Sequence, residues 1–525
     1  MTADVLTKSQ LISGNIIMKK IKDLFHFFFQ STKGLILLGI TSISVITAVW
    51  GMLSGPMVEW GVRDFVVDLL GMDLQSVERS GRIIMLYHVI AMIVTAIEVY
   101  MITSIVPMRR HQRANINNTI TVGWITTTIF GLAFGYFGHN YFYHGLFLVG
   151  QSLIFFAGLL LTAALYPWRK HFLVEDKEYA HTKSGYDLER MAFFIMAVSM
   201  LISAGFGAVT GSFWSNGHET FLAEDLIRVP DKTALQKAVI GHLHIMLTLI
   251  AVAITLIVGR WMDFKGKLHK IAMPTMMFGT AVISGGVWSV VWTHMAHTFI
   301  YVGSVFVMFA ALLLVIYSWG KLIKDRTAEL GLENPTFGQK FIALFHDPIK
   351  FGPFWQMVFM NFTVSGVGIF MAIKLEQIFR VWPAREERIT LTGHWHILSA
   401  IIATIILMYY IDIAGIKGKM RKWLGWTIII GSDIAFGAAT IFSMKRLFVT
   451  EYYQTPVVNW TMLAMDFGLG IILVLVGGIL IWRLKDLFSS DGLWSKESAS
   501  PELDLERTSV LTQAGRDAIK KEMEI

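Results

Sequence analysis

The chain has 525 residues, 54% of them hydrophobic and 16% charged, a balance that soluble domains do not carry and integral membrane proteins do. Its net charge of +7 comes from basic residues in the connections between apolar runs, which excludes a nucleic-acid surface as its source. Cysteine is absent, which excludes disulfides, iron–sulfur clusters, thiolate metal sites and haem attached through Cys-x-x-Cys-His.

In chain order, residues 1–33 place Lys8, Lys19, Lys20 and Lys22 around an amphipathic Ile-Phe-rich segment with no cleavage site after it, the pattern of an interfacial helix rather than a signal peptide. Apolar runs long enough to cross ~30 Å of hydrocarbon then follow one another. They predict twelve spans near 34–56, 83–106, 117–137, 143–166, 189–213, 237–259, 270–292, 296–319, 353–374, 391–413, 422–443 and 457–482. Connections after even-numbered spans are basic: Arg109, Arg110 and Arg113; Arg169 and Lys170; Arg260, Lys265, Lys267 and Lys270; Lys417, Lys419, Arg421 and Lys422. By the positive-inside rule both termini are expected in the cytoplasm of a multi-pass cell-membrane protein. Arg380, Arg385, Arg388, Lys445 and Arg446 depart from the rule, on the outer side. A polar tail, residues 484–525, is expected as a cytoplasmic appendage with a helix near 503–524. The expected organisation is thus a segment 1–33, a membrane domain 34–483 and a tail 484–525.

The twelve spans read as three sets of four. The second member of each set begins with histidine: Leu86-Tyr87-His88, Gly241-His242-Leu243-His244 and Gly393-His394-Trp395-His396. The third members share Gly, Thr and Trp, as in Gly123-Trp124, Gly279-Thr280 and Gly425-Trp426. The expected fold class is all-α integral membrane, twelve transmembrane helices in three four-helix arcs with pseudo-threefold symmetry. The histidine-bearing helices would then share the interior at one depth in the outer third of the bilayer. Intramembrane imidazoles need a partner or a task. Those of His394 and His396 point about 200° apart at 100° per helical residue, so they reach two cofactors rather than one metal.

On these residues the chain resembles the catalytic subunit of the haem–copper oxidase superfamily, which includes cytochrome oxidases and nitric oxide reductases. The resemblance covers all twelve spans and rests on His88, His242, a histidine after span 7 and the His-x-His of span 10, with Arg113-Ala114-Asn115-Ile116-Asn117-Asn118 and Trp124 between spans 2 and 3. It implies two haems, of b type, and a second metal, copper or non-haem iron. His88 and His396 would be axial ligands of a low-spin haem. His394 would ligate a high-spin haem, and His242 would face its open side with His294 and His297 on the second metal. Without cysteine, electrons must come from a partner subunit, such as a cytochrome c or copper protein, or from membrane quinol. The substrate would be a diatomic gas.

The sequence departs from the family at the second metal, where Met295 follows His294 in place of a second histidine. Met246 stands four residues after His242 and span 7 has no tyrosine, which favours nitric oxide over dioxygen. Tyr301 on span 8 is the nearest substitute. Lys445 and Arg446 are expected to neutralise haem propionates. Glu98, Asp433 and Asp466 are intramembrane carboxylates with proton-relay or structural roles. His139, His144 and His218 read as solvated outer-loop residues, and His111, His171, His181 and His269 as cytoplasmic ones without a task. Two other readings stay open: a dihaem cytochrome relaying electrons without reducing a gas, and a transporter with histidines in a proton path.

Overall fold

The computed structural model describes residues 31–54, 56–212, 228–229 and 231–488, scattered positions between 18 and 29, and Gln513 and Asp517. The reading of 1–33 as an interfacial helix and of a helix near 503–524 therefore lies almost wholly outside the described residues. In order, the α-helices are α1 (Thr32–Ser54), α2 (Val62–Leu70), α3 (Arg79–Ile105), α4 (Arg110–Phe137), α5 (Tyr141–Leu165), α6 (Leu188–Ser212), α7 (Ala234–Trp261), α8 (Lys267–Ser289), α9 (Ala296–Glu329), α10 (Phe337–Leu344), α11 (Pro348–Phe359), α12 (Gly366–Ile373), α13 (Ala384–Ile413), α14 (Gly418–Met444) and α15 (Gln454–Phe488). Among the described residues there is no β-strand, only two isolated bridges, Leu173 with Tyr186 and His181 with Asp187.

Eleven of these helices are long and apolar enough to cross a membrane. An all-helical membrane domain follows from the absence of water in hydrocarbon, which obliges each crossing segment to satisfy its own backbone. The predicted ninth crossing differs from a plain helix. It starts as α11, passes through a π-helical stretch Met360–Ser365, continues as α12, and enters a second π-helical stretch Leu375–Phe379. Pro353, which removes one helical donor, and Gly366 and Gly368, which weaken helix propensity, lie along this segment. The amphipathic α2, on the connection after α1, also escaped the hydropathy reading.

The three histidine-bearing helices are among the most enclosed: the apolar windows of α3 and α13 are 61% buried and those of α4 and α7 56%, against 28% for α1, α5 and α15. Neighbouring outer helices approach through small residues, as membrane helices do when no hydrophobic drive separates them from lipid. A Cβ on Gly303 of α9 would stand 2.5 Å from the Ile283 nitrogen of α8, and one on Gly468 of α15 would stand 2.4 Å from the Gly431 oxygen of α14.

The start of α6 and the end of α7 are locked together by a buried polar network. Arg260 at the end of α7 donates to Glu189 at the start of α6, both buried. Arg190 donates to the Pro107 and Ala164 carbonyls, and Tyr179 donates to Asp263. Asp187 has its pKa raised by burial first and by the neighbouring Glu189 second. Arg260→Met should strand the Glu189 carboxylate in this network and destabilise the protein by about 3–5 kcal/mol. The check is the thermal midpoint in detergent, which should fall in Arg260→Met and recover in part when Glu189→Gln is added.

Candidate functional site

The histidines of the inner helices are anchored alike. His88 on α3, His244 on α7 and His396 on α13 each place Nδ1 2.8–2.9 Å from the carbonyl four residues earlier, those of Ile84, Ile240 and Thr392. His242 places Nδ1 2.8 Å from the Ser203 carbonyl of α6. A carbonyl only accepts, so each of these Nδ1 atoms carries the proton and donates. The lone pair is thereby left on Nε2, the arrangement found when imidazole ligates a metal. The Nδ1 of His394 is buried beside the Thr390 and Leu391 carbonyls without a well-formed bond.

The rings meet across helices. His88 and His242 lie with ring centroids 6.4 Å apart and planes 19° from parallel. His396 instead has the ring of Tyr87, the neighbour of His88, at 6.0 Å. His244 stands edge-on to Trp395 at 5.0 Å. His394 turns towards the interrupted crossing, where a Cβ on Gly368 of α12 would stand 3.6 Å from its Nε2. His394 is also within electrostatic reach of His244 and His396. The two histidines of α13 thus address different helices.

The histidines after span 7 sit differently from the sequence expectation. α8 stops at Ser289, residues 290–295 form a turn, and α9 begins at Ala296. His294 is exposed on that turn and has left the α8 face. His297, in the first turn of α9, is exposed with the Tyr301 ring 6.5 Å away, and it is His244, not His242, that lies within its electrostatic reach. Among the described residues, no three His or carboxylate side chains are grouped so as to hold a metal ion between them.

Space is available in the same layer. His244 is surrounded by protein mass, yet its surface is exposed, a combination that arises where a side chain faces a gap inside the bundle. His396 is exposed as well. Beside His242 is a cavity of ≈ 10 Å³ lined by Ser203, Phe206, Ile245 and Trp288, room for about one water. Trp288 Nε1 donates to Ser203 Oγ at 3.0 Å and so fixes the residue whose carbonyl holds His242.

Other predicted residues have their own partners. Lys445 is buried with Nζ 2.5 Å from Glu386 Oε2, and Arg446 Nε is 4.0 Å from the same oxygen. Glu98 is buried with Oε1 unpartnered. Asp433 accepts from Trp355, and Asp466 is exposed. His139 is not simply solvated: it stacks on Phe134 at 4.2 Å and lies 3.8 Å from Glu78. His144 tilts against Phe134 at 5.5 Å, and His218 lies outside the described residues. His269, expected as a cytoplasmic residue without a task, is fully buried and accepts the Ala180 N–H on Nδ1. Sequence reasoning missed Tyr87, Trp395, Ser203 and Gly207. The first two are signalled only by standing next to histidines, and the last two by nothing local.

Comparison of the chain with family models, with curated proteins and with solved structures finds no match.

Gly207 of α6 lies flat against the His242 ring, and a Cβ there would stand 2.4 Å from Cε1. Gly207→Ala is expected to overpack the site by about 1–3 kcal/mol. His242→Ala in the same chain should relieve it. Thermal midpoints of the two single variants and the double variant test this; additive losses would show that the contact is not the cause.

Proposed function

We propose that this is a membrane haem oxidoreductase of the haem–copper oxidase type, passing electrons through a bis-histidine haem to a second haem site where a diatomic gas is reduced. One observation carries the reading. Imidazoles from three inner helices share a layer, and four of them have Nδ1 tied to a carbonyl and Nε2 left free, beside gaps in the bundle. Neutral imidazole with a free Nε2 is the commonest protein ligand of haem iron. Haem iron supplies one-electron transfer where two imidazoles close both axial positions, and gas binding where one leaves a position open.

Two pairings of histidines could hold the first haem. The family resemblance pairs His88 with His396, whereas the structure brings the rings of His88 and His242 to 6.4 Å of each other. In either case the carbonyl tethers fix the ring tautomer. Tyr87 then places a phenol at the ring of His396, where it can hold a proton. His394, facing Gly368, remains the single ligand of the gas-binding haem, which is not held through Cys-x-x-Cys-His since the chain lacks cysteine. A second metal, copper or non-haem iron, would fall to His242, His294 and His297, of which the latter two are reached only from the α8–α9 turn. The lack of tyrosine on α8 favours nitric oxide over dioxygen.

The burial of α3, α7 and α13 supports three arcs around a shared interior, with α11 and α12 together as the ninth of twelve crossings. Basic connections support a cell-membrane orientation with cytoplasmic termini. Electrons would come from quinol or a partner subunit. Lys445 and Arg446, on the outer side of the layer, would share their charge between Glu386 and haem propionates. The exposure of His294 favours, as a second reading, a dihaem cytochrome that relays electrons between quinol and a partner without touching a gas.

Spectra of the purified, reduced protein with and without carbon monoxide test both. Two haems per chain with one shifted by carbon monoxide are expected, followed by turnover of nitric oxide. Two haems with no shift would establish the relay, and no Soret band would end both readings and favour a transporter. His88→Ala should abolish the six-coordinate signal, and the choice of pairing follows from whether His396→Ala or His242→Ala does the same.

A further inference from the structure

Asp433 lies near the middle of α14, about three turns deeper than the histidine layer. Trp355 Nε1 of α11 donates to both its oxygens, at 3.0 and 2.9 Å. One residue along each helix, Gln356 Nε2 donates to Ser432 Oγ at 2.7 Å, and Ser432 Oγ donates to the Ile429 carbonyl at 2.9 Å. Gln356 is fully buried, and its Oε1 has no hydrogen-bond partner. The layer therefore offers a carboxylate and an amide oxygen, and a neutral indole as its donor.

Burial and the indole are the influences on the Asp433 carboxyl; no charged side chain of α11, α13 or α15 acts on it. Asp466 of α15, the other carboxyl at a similar depth, is exposed, and no charged side chain acts on it. Among the described residues no Lys, Arg or His forms an ion pair with Asp433. An ionised carboxylate in that position is costly, because hydrocarbon gives nothing back for the lost hydration. A metal cation does not resolve this: hard cations take about six or more oxygens, and the positive end of the indole N–H already points at the carboxylate. A proton does resolve it, and the unpartnered Gln356 Oε1 is an acceptor in the same layer. One turn further along, the crossing loosens into the π-helical stretch Met360–Ser365. Such interruptions are frequent at functional sites, and backbone of this kind at membrane depth is tolerated inside protein or beside water.

We propose that Asp433, with Trp355 and Gln356, is an exchangeable proton-binding site at mid-bilayer. It is occupied at rest as a neutral carboxylic acid. Its carboxyl O–H bond breaks as a new O–H bond forms on a water that takes the proton, and both changes reverse when the proton returns. This stands independently of the haem reading, since the site shares no residue with the histidine layer.

The experiment is infrared spectroscopy of the full-length protein in lipid nanodiscs at neutral pH. The difference spectrum of wild type minus Asp433→Asn should contain a protonated-carboxyl C=O band that shifts in deuterium oxide. In Trp355→Phe the same band should move to higher frequency, as the carbonyl loses its indole bond. If Asp433→Asn does not fold, the shift in Trp355→Phe decides alone. No protonated-carboxyl band in the difference, or no shift in Trp355→Phe, overturns the proposal. So does loss of the band when choline chloride is exchanged for sodium chloride at constant pH, which would make the site a cation site.

Discussion

A backbone carbonyl for the imidazole N–H of His88, His242, His244 and His396 is the constraint from which the site's chemistry follows. In hydrocarbon no water is present to take that proton, and an unpartnered donor is expensive. Three of the histidines solve this within their own helix, through the carbonyl four residues back. The cost of that local solution is directional: it commits Nδ1 to the helix and turns Nε2 outward, across the interior. His242 solves it through Ser203 of α6, which ties its ring to a second helix and to Trp288 beyond. The same bond that makes an intramembrane histidine tolerable therefore also makes it a ligand in waiting.

Helix packing serves that geometry. Glycine contacts such as Gly303 against Ile283 and Gly431 against Gly468 bring outer helices together at backbone distance. The most enclosed helices are α3 and α13, with α4 and α7 next. At the histidine layer one small residue changes purpose: Gly207 faces His242, where a Cβ would clash, so its missing side chain is room for the ring rather than for a neighbouring helix.

What the sequence made legible follows the same physics. Hydropathy located eleven continuous crossings because length and apolarity are local properties. Helical periodicity placed His394 and His396 on different faces, and they do address α12 and α3 respectively. The π-helical interruption of the ninth crossing was not legible, because Asn361, Thr363 and Ser365 within 360–365 mark a less apolar stretch but carry no signature of π-helical backbone. The displacement of His294 was not legible either: whether a helix runs six residues further is a matter of tertiary contact. Ser203 and Gly207 carry no local mark, and their roles exist only once α6 lies against α7. The expectation that Lys445 would be free to meet a cofactor acid overlooked Glu386, which is distant in sequence and adjacent in space.

That last pairing bears on how the outer rim works. Glu386 sits in the first turn of α13, where the helix dipole favours a carboxylate, and Thr390 Oγ1, one turn on, donates to the Ser443 carbonyl of α14 at 2.6 Å. Glu387, the next residue, accepts from Arg228 and Arg380. The start of α13 is thus clamped by cations from three connections, ten residues before the ring of His396. A negatively charged group entering the layer from outside would meet Lys445 already neutralised, so its gain would come from sharing a cation rather than from pairing a free one. Because Lys445 is buried, removing Glu386 would leave a lone charge in protein, and the carboxylate therefore holds the cation in place whether or not an acidic group lies beneath it.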